Sequence, residues 1–327
     1  MFQALVLNQE EGKTVAAVKQ LQLDDLPQED VLVKVAYSSL NYKDGLAITG
    51  KGKIIRNFPM VPGVDLVGTV EESADDRYRP GDQVILTGWG VGENFWGGYA
   101  QYARLKADWL VPLPEQMGPV KAMQIGTAGL TAMLCVMALE EGNVLPEQGP
   151  IVVSGSAGGV GSVAVALLAG LGYQVAAITG RPETAEYLTG LGATEILSRE
   201  EMSEPARPLE KQRWAGAIDT VGDHILGRIL AETEYNGVVA ACGLAASFKL
   251  PATVMPFILR NVRLQGVDSV MCPVEKRQAA WQRLQEALPE SALGDIAQMI
   301  SLAELPEYAE KITNGQVKGR VVVDLNK

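Results

Sequence analysis

The sequence predicts an α/β protein of two domains, one rich in β-strands and one built as a doubly wound parallel sheet. The chain has 327 residues, which is too long for one ordinary hydrophobic core. Its first third contains segments in which apolar and polar residues alternate, as they do in strands with one buried face. Further along, short apolar strands alternate with helical segments, which indicates a parallel sheet covered on both faces.

Glycine and proline bound the strands of the first third. Pro62-Gly63 and Pro80-Gly81 are turn signals in front of two of them. A proline-free stretch of good helix formers with a long apolar face then predicts a helix at residues 120–141. The predicted strands of this part cover residues 31–40, 65–73, 82–90 and 99–105.

Strand and helix patterns follow one another in the rest of the chain. We expect the tail to rejoin the β-rich domain through a last strand at residues 319–325. The predicted domains are therefore 1–122, rejoined by 292–327, and 123–291. The predicted strands of the second domain are 151–155, 173–178, 214–222, 237–243 and 262–267, and the predicted helices are 160–172, 182–192, 224–233 and 274–288.

Composition and charge restrict the function classes. Apolar residues make up 47% and charged residues 20%, which is a globular composition. The apolar stretches near residues 133–139 and 163–171 are too short to span a bilayer, so we expect a soluble, cytoplasmic protein without a membrane partner. The net charge of −11 disfavours nucleic acid as a partner. Three widely spaced cysteines form no disulfide framework, and the one histidine, His224, excludes metal sites built from several imidazoles.

The most informative motif is a glycine-rich turn between a strand and a helix. Gly155, Gly158 and Gly161 follow the spacing G-x-x-G-x-x-G. Glycine lets the backbone turn tightly against a pyrophosphate, and the N-terminus of the helix offers N–H groups to the anion. A glycine-rich turn that binds nothing is the alternative, but the complete β-α-β context favours a dinucleotide. The predicted contacts of the turn are Ser156, Ala157, Gly158, Gly159, Val160 and Gly161.

The end of the next strand predicts which nucleotide is bound. Proteins that bind NAD usually carry Asp or Glu there, to accept from the ribose 2′-hydroxyl. This chain has Thr179, Gly180 and Arg181 instead, and a hydroxyl with a guanidinium suits a 2′-phosphate. The sequence therefore predicts NADPH as the cofactor, with Arg199 as a second cation. The alternative is that Arg181 lies at a solvated helix start.

The order of these elements resembles the medium-chain dehydrogenase/reductase superfamily, whose members join a GroES-like β-domain to a Rossmann domain. The zinc enzymes of that superfamily carry a Cys ligand near the position of Asn41 and a His ligand at that of Val64. The four-cysteine structural lobe is absent as well. A catalytic zinc needs three protein ligands. The resemblance therefore points to the zinc-free quinone oxidoreductase branch, with no metal expected.

Several longer stretches are similar to one family of that branch, the bacterial acryloyl-CoA reductases. They are residues 41–65, 86–114, 125–140, 214–222 and 254–270. The resemblance implies that NADPH reduces the 2,3-double bond of acryloyl-CoA to propanoyl-CoA by hydride transfer to the β-carbon. A quinone or enal reductase is one alternative, and a non-catalytic NADPH-binding protein with a structural or regulatory role is another. The resemblance also implies a homodimer, formed near residues 262–267.

The resemblance further suggests site residues outside the glycine-rich turn. Asn41, as a donor to an oxygen, and Tyr42, as a lining residue or proton donor, are the candidates for catalysis, with an ordinary polar turn as the alternative. The other predicted cofactor contacts are Tyr42, Thr127, Thr220, Leu244, Ser269, Asn314 and Arg320.

Two loops of the first third carry additional predictions. Lys51, Lys53 and Arg56 form a basic stretch in an acidic protein, either a site for the phosphates of CoA or a solvated loop. Residues 89–98 are rich in glycine and tryptophan, and they form either a mobile pocket wall or part of the domain's packing.

Overall fold

The computed structural model describes residues 1–288, 292, 294 and 296–327. The chain forms two compact units. The first comprises Met1–Thr127, Ser269–Gln285 and Ala297–Lys327, and the second comprises Ala128–Asp268 and Glu286–Ile296. The domain boundaries expected from the sequence stay predictions, and residue 291, where the second domain is expected to end, lies outside the described residues.

The strands and helices are numbered in chain order. The strands are β1 Phe2–Glu10, β2 Lys13–Leu21, β3 Val31–Leu40, β4 Asp65–Ser73, β5 Gln83–Thr87, β6 Tyr102–Leu105, β7 Val111–Pro112, β8 Ile151–Val153, β9 Val175–Thr179, β10 Glu195–Ser198, β11 Trp214–Asp219, β12 Thr233–Ala241, β13 Arg263–Gly266, β14 Ala297–Ser301 and β15 Arg320–Asp324. The helices are α1 Tyr42–Thr49, α2 Pro119–Glu141, α3 Gly159–Gly170, α4 Ala185–Gly190, α5 Arg199–Met202, α6 Asp223–Glu232, α7 Met255–Arg260, α8 Val274–Ala287 and α9 Leu305–Thr313.

The first unit is β-rich. Its main sheet has the order β14-β15-β3-β4-β5-β7, β6 also pairs with β3, and β1 and β2 form an antiparallel pair. The C-terminal strand β15 lies antiparallel to β3, so the tail returns to the sheet formed by the first third. Apolar side chains of β3, β4, β5 and β15 pack into one core with those of α9. This unit has the GroES-like β-rich character that the resemblance implies.

The second unit is a doubly wound parallel sheet with the strand order β10-β9-β8-β11-β12-β13. The strand order reverses between β8 and β11, and open α/β sheets bind ligands at the carboxyl ends of the strands beside such a switch point. Its core includes Val152, Ile178, Ala217 and Val239, one from each of four neighbouring strands. The predicted fold class is confirmed.

Several elements differ from the sequence expectations. Helix α2 is interrupted at Gly126, whose φ is 53° and ψ −159°. The helix expected at residues 182–192 is divided into a 3₁₀ turn at Pro182–Thr184 and the short helix α4. Asn41-Tyr42-Lys43-Asp44 begins helix α1 and is not an ordinary turn. Among the described residues one helix, α2, is long and apolar enough to cross a membrane, and most of it is buried like the core helix of a soluble protein.

Candidate active site

The glycine-rich turn joins β8 to α3 in the second unit. Gly155 has φ 58°, and a Cβ built on it would lie 2.3 Å from Thr220 Oγ1. A Cβ on Gly161 would lie 2.3 Å from the carbonyl oxygen of Gly155. Side chains are therefore excluded at both positions, and α3, which begins at Gly159 after the extended Gly158, starts directly on the turn. This is the geometry that admits a pyrophosphate to the backbone N–H groups.

Polar residues around the turn bond to each other. Ser156 is buried, and its hydroxyl donates to the Val153 carbonyl at 2.7 Å, so its side chain is used inside the protein. Thr220 donates through Oγ1 to the Ser154 carbonyl at 3.0 Å. The Ser154 hydroxyl donates at 2.7 Å to Asp219, a carboxyl whose pKa is raised by burial. Thr220 is thus held at the switch point.

Leu244 also lies near this turn, since a Cβ on the preceding Gly243 would come within 2.3 Å of the Thr220 carbonyl oxygen. Its side chain is 64% exposed, and so it is open to contact with a ligand. The structure brings Leu244 and Thr220 to the carboxyl ends of adjacent strands β12 and β11.

A cationic corner lies at the end of β9. Arg181 Nη2 donates to the Ala157 carbonyl at 3.2 Å, so its guanidinium reaches the glycine-rich turn. Thr179 Oγ1 accepts from the Arg181 N–H at 3.1 Å. Arg199 lies against Gly180, where a Cβ would be 2.5 Å from its Cζ. A cavity of about 580 Å³, lined by Thr179, Gly180 and Arg199 among others, opens here. These residues fit the adenosine and 2′-phosphate of NADPH.

A buried polar cluster lies in the first unit, and we define it as Ser39, Asn41, Asp44, Asp65, Thr127 and Arg320. Asp65, fully buried, is its centre. Asp65 Oδ2 accepts from Ser39 Oγ at 2.5 Å, Asn41 Nδ2 at 2.9 Å and the Thr127 N–H at 2.9 Å. The Thr127 hydroxyl donates to Asp65 Oδ1.

Asn41 bridges the two carboxylates of the polar cluster. Its Nδ2 donates to Asp65 and, at 3.2 Å, to Asp44 Oδ2, while its Oδ1 accepts from Arg320 Nη1 at 3.0 Å. Both amide hydrogens are therefore used inside the protein. An Asn41 side chain in this position has no hydrogen left to donate to a substrate oxygen.

Asp44 and Arg320 are the other charged members of the polar cluster. Asp44 accepts from the N–H groups of Asn41 at 2.9 Å and Val64 at 3.1 Å. Burial and the neighbouring Asp65 raise the pKa of Asp44 to about 6, against an ordinary 3.8. Burial lowers the pKa of Arg320, whose Nη2 lies 3.8 Å from Asp65 Oδ2. Arg320 is thus a buried structural cation, and its predicted cofactor contact remains a prediction.

Tyr42 differs from its neighbour Asn41. Its side chain is 44% exposed, and no hydrogen bond of its hydroxyl is found among the described residues. Of the two candidates for catalysis, it is the one that solvent or a ligand can reach.

The three cations of the basic stretch differ in their contacts. Lys51 Nζ bonds to Glu310 at 2.7 Å, to Thr313 Oγ1 at 3.0 Å and to Asn314 Oδ1 at 3.3 Å. Lys51 and Asn314 therefore bind each other. Lys53 and Arg56 are exposed, and no ion pair engages them in the part of the chain that the structure describes.

Ser269 lies in a loop that Arg277 organises. The fully buried guanidinium of Arg277 donates to the carbonyls of Ser269 at 3.1 Å and Val270 at 3.2 Å, and to the Thr87 carbonyl at 2.6 Å. It also lies over the ring of Trp89 at 5.0 Å. Arg277 thereby ties the Ser269 loop to the end of β5.

The glycine-rich segment at residues 89–98 packs closely against other backbone. A Cβ on Gly97 would lie 2.2 Å from the Gly63 carbonyl oxygen, and one on Gly98 2.2 Å from that of Asp65. A Cβ on Gly92 would lie 2.8 Å from Gly63. Of the two interpretations of this segment, these contacts favour a role in packing.

The region of the polar cluster does not fit a zinc ion. Asn41 and Val64 supply no thiolate or imidazole, and the Arg320 guanidinium already places a positive charge beside Asp65. In the described ranges, no group of three or more His, Cys, Asp or Glu residues is arranged to hold a metal.

Sequence reasoning missed Asp65 and Arg277 as site residues. Arg277 lies in the charged helix α8, where nothing in the sequence distinguishes it from its neighbours. Asp65 begins a largely apolar strand, and a buried charge requires partners. That signal marks a residue that must be satisfied, but the sequence does not identify its partners, which are distant along the chain.

Comparison with known proteins places the chain among oxidoreductases. A family model described as "Alcohol dehydrogenase GroES-like domain" matches residues 27–115, and one described as "Zinc-binding dehydrogenase" matches residues 159–286. The chain is 62% identical to "Probable acrylyl-CoA reductase AcuI" of Escherichia coli (strain K12), over 99% of this chain and 100% of the relative. It is 56% identical to "Acrylyl-CoA reductase AcuI" of Ruegeria pomeroyi, over 100% of both chains.

Two further similarities concern another relative and a solved structure. The chain is 44% identical to "Putative quinone oxidoreductase YhfP" of Bacillus subtilis, over 99% of both chains. It matches the crystal structure of E. coli K-12 YhdH with bound NADPH at a TM-score of 0.98 and 62% identity, covering 99% of this chain and 100% of that one.

Proposed function

Because the chain belongs to the medium-chain dehydrogenase/reductase family, we propose that it reduces the 2,3-double bond of acryloyl-CoA to propanoyl-CoA with NADPH and without a metal. The observation that carries the proposal is the full-length identity, 62% and 56%, with two proteins named acrylyl-CoA reductase. The chain is thus an NADPH-dependent oxidoreductase that acts on a carbon–carbon double bond.

Residues of the second unit hold the cofactor. The N-terminus of α3 and the glycine-rich turn receive the pyrophosphate, and Thr179, Arg181 and Arg199 receive the 2′-phosphate. When bound, NADPH supplies the hydride that adds to the β-carbon of the enoyl thioester. The solved YhdH structure with NADPH, 62% identical to this chain, supports this choice of cofactor.

An Arg181→Ala substitution tests the cationic corner. Loss of charge-assisted hydrogen bonds, each worth roughly 1.5–3 kcal/mol, should raise the KM for NADPH by about 10- to 100-fold and leave that for NADH nearly unchanged. Direct titration with adenosine 2′,5′-bisphosphate and with 5′-AMP checks the same point without turnover. Arg207→Ala, which removes a surface cation paired with Glu210 in the same unit, is the matched control. Equal effects on both cofactors would remove the assignment.

The remaining chemistry requires a proton at the α-carbon. Tyr42 is our candidate for that proton, since its side chain is exposed and its neighbour Asn41 has both amide hydrogens engaged. Tyr42→Phe should lower kcat by about 10²–10⁴-fold if this proton transfer limits the reaction. A kcat within about twofold of the wild type would assign the proton to water.

Lys53 and Arg56 are proposed to receive the phosphates of CoA. They are exposed, whereas Lys51 is held by Glu310 in a contact of 2.7 Å. Replacing both Lys53 and Arg56 by Met should raise the KM for acryloyl-CoA and leave that for acryloyl-pantetheine, which lacks the CoA phosphates. Lys51→Met is the matched control, and it should change the ratio of the two KM values much less.

The decisive experiment for the proposed function is NADPH oxidation followed at 340 nm with acryloyl-CoA, crotonyl-CoA and a benzoquinone in parallel. We expect the highest kcat/KM with acryloyl-CoA. The second candidate function is quinone reduction, favoured by the 44% identity with a protein named for quinone oxidoreduction. A preference for the benzoquinone would select it, and binding of NADPH with no turnover of any acceptor would select a non-catalytic role.

The protein is proposed to be a homodimer. Strand β13 is at the edge of the parallel sheet, and exposed apolar side chains lie close by in the sequence, namely Phe248, Val254, Ile258 and Leu259. An uncovered edge with apolar residues suits pairing with a second copy. Sedimentation velocity of the wild type and of Ile258→Glu would test this, with a dimer in the first case and a monomer in the second.

We also propose that the protein resides in the cytoplasm. Cys135 and Cys242 are neighbouring cysteines that form no disulfide, which suits a reducing compartment.

A further inference from the structure

We infer that Asp65 is a positioning residue that fixes the hydroxyl and the backbone N–H of Thr127, and thereby the residue predicted to face the nicotinamide. The inference rests on the proposed function, because the group that Thr127 would orient belongs to a bound NADPH. Neither the sequence motifs nor the names of the relatives assign Asp65 a role.

Thr127 is tied to Asp65 at two points. Its N–H donates to Oδ2 at 2.9 Å, and its hydroxyl donates to Oδ1. Because the Thr127 hydroxyl is the donor in this bond, its hydrogen points towards Asp65. The two bonds together fix both the backbone and the side-chain torsion of Thr127, which one bond alone would not do.

The break in helix α2 serves this contact. Gly126 has φ 53°, which interrupts the helix immediately before Thr127, the residue whose N–H donates to Asp65. A Cβ on Gly126 would lie 2.4 Å from Arg320 Nη2, 2.6 Å from Asp65 Oδ2 and 2.7 Å from Ser39 Oγ. The backbone therefore bends at the one residue type that leaves room for the carboxylate to reach Thr127.

Asp65 itself is in no position to react. It is fully buried, and besides Thr127 it accepts from Ser39 Oγ at 2.5 Å and from Asn41 Nδ2 at 2.9 Å. Arg320, whose Nη2 donates to Ser39 Oγ at 2.7 Å, supplies the opposite charge at 3.8 Å. A carboxylate held by donors from β3, α2 and the C-terminal strand orients other groups. Any influence on the reaction must pass through them.

The experiment uses the full chain with four variants: Asp65→Asn, Thr127→Val, Thr127→Ser and the double variant Asp65→Asn/Thr127→Val. A misplaced positioning group costs about 10²-fold in rate, so we expect kcat to fall by about that factor in the first two. Thr127→Ser keeps the hydroxyl and should stay within about threefold of the wild type. Because Asp65 acts through Thr127, the double variant should be within about threefold of either single one.

Measurements on bound cofactor separate a positioning role from a merely structural one, because they combine an affinity with a fluorescence signal from the nicotinamide. The Kd for NADP⁺ should change by less than about threefold in every variant, since the adenosine and phosphate contacts are untouched. The fluorescence of the reduced nicotinamide of bound NADPH should shift in Asp65→Asn and Thr127→Val and be preserved in Thr127→Ser. Asp75→Asn, a surface carboxylate of the same unit that is paired with Arg77, is the control.

The outcomes separate the inference from the proposed function. The inference would be overturned if the fall in kcat of the double variant equalled the product of the two single falls. A kcat for Asp65→Asn within threefold of the wild type would overturn it as well. If Asp65→Asn does not fold, the comparison of Thr127→Val with Thr127→Ser decides, and equal kcat and fluorescence in these two variants overturn it. The fluorescence needs no acceptor, so a wild type that leaves acryloyl-CoA unreduced refutes the proposed function alone.

Discussion

Replacing Asp44 by asparagine should change how the stability of the protein depends on pH. Asp44 is fully buried, and burial together with the adjacent Asp65 raises its pKa from an ordinary 3.8 to about 6. The other ionisable groups that face it are Tyr99 and Arg320. Because the pKa is higher in the folded chain, the contribution of Asp44 to stability is fully present below pH 3.8 and is lost as pH rises through about 6.

The magnitude follows from the two pKa values. Across the whole window the ionisation of Asp44 costs the fold about 3 kcal/mol, of which about 1.4 kcal/mol falls between pH 5 and pH 8. Asparagine stays neutral and avoids this loss. It also replaces one carboxylate oxygen by an amide nitrogen, which leaves the Val64 N–H without its acceptor at a cost of about 1–3 kcal/mol that does not vary with pH.

Urea denaturation followed by tryptophan fluorescence at several pH values measures both effects. The free energy of unfolding of Asp44→Asn should gain about 1.4 kcal/mol relative to the wild type between pH 5 and pH 8. Asp75→Asn is the control, because Arg77 lowers the pKa of Asp75 to about 2 and its titration lies outside this window. A constant difference between Asp44→Asn and the wild type over this range would refute the reasoning.

Three further predictions concern backbone and metal. Gly126→Ala should lower the free energy of unfolding by about 1–3 kcal/mol, because alanine is strained at φ 53° and its Cβ meets the polar cluster; urea midpoints would check this, and an unchanged midpoint would contradict it. Gly161→Ala should abolish measurable NADPH binding by fluorescence titration while Gly190→Ala, which has open space around it, leaves it intact. Dialysis against a chelator should leave the turnover rate unchanged, and loss of activity that zinc restores would contradict the metal-free mechanism.

The second unit was predictable because its signals are local. A parallel sheet buried on both faces produces continuous apolar strands. The glycine spacing at 155, 158 and 161 follows from the left-handed backbone of Gly155 and from the close approach of the other two glycines to its carbonyl oxygen. The prediction of the first unit was less complete. The β1–β2 hairpin and helix α9 were missed, since β2 is mostly half-buried or exposed and α9 begins with a Leu-Pro pair that resembles a loop.

The candidate site shows the same limit. Arg181 could be selected from the residue types at one strand end, and the structure places its guanidinium 3.2 Å from the turn at Ala157. The polar cluster could not be predicted from the sequence. Its members Asn41, Asp65, Thr127 and Arg320 come from four segments that only the fold brings together. Sequence reasoning therefore named Asn41 as a donor without knowing that Arg320 and two carboxylates already engage its carboxamide.

The close backbone packing around Gly63 has a consequence for anyone who wishes to diversify this segment by directed evolution. Codons randomised at positions 63, 92, 97 and 98 would yield mostly misfolded clones, since nearly every new side chain would collide with main-chain atoms that cannot withdraw. Diversity is better introduced at Phe95, which belongs to the same segment and has a 38% exposed ring. A library built on that distinction would sample new surfaces and keep the scaffold intact.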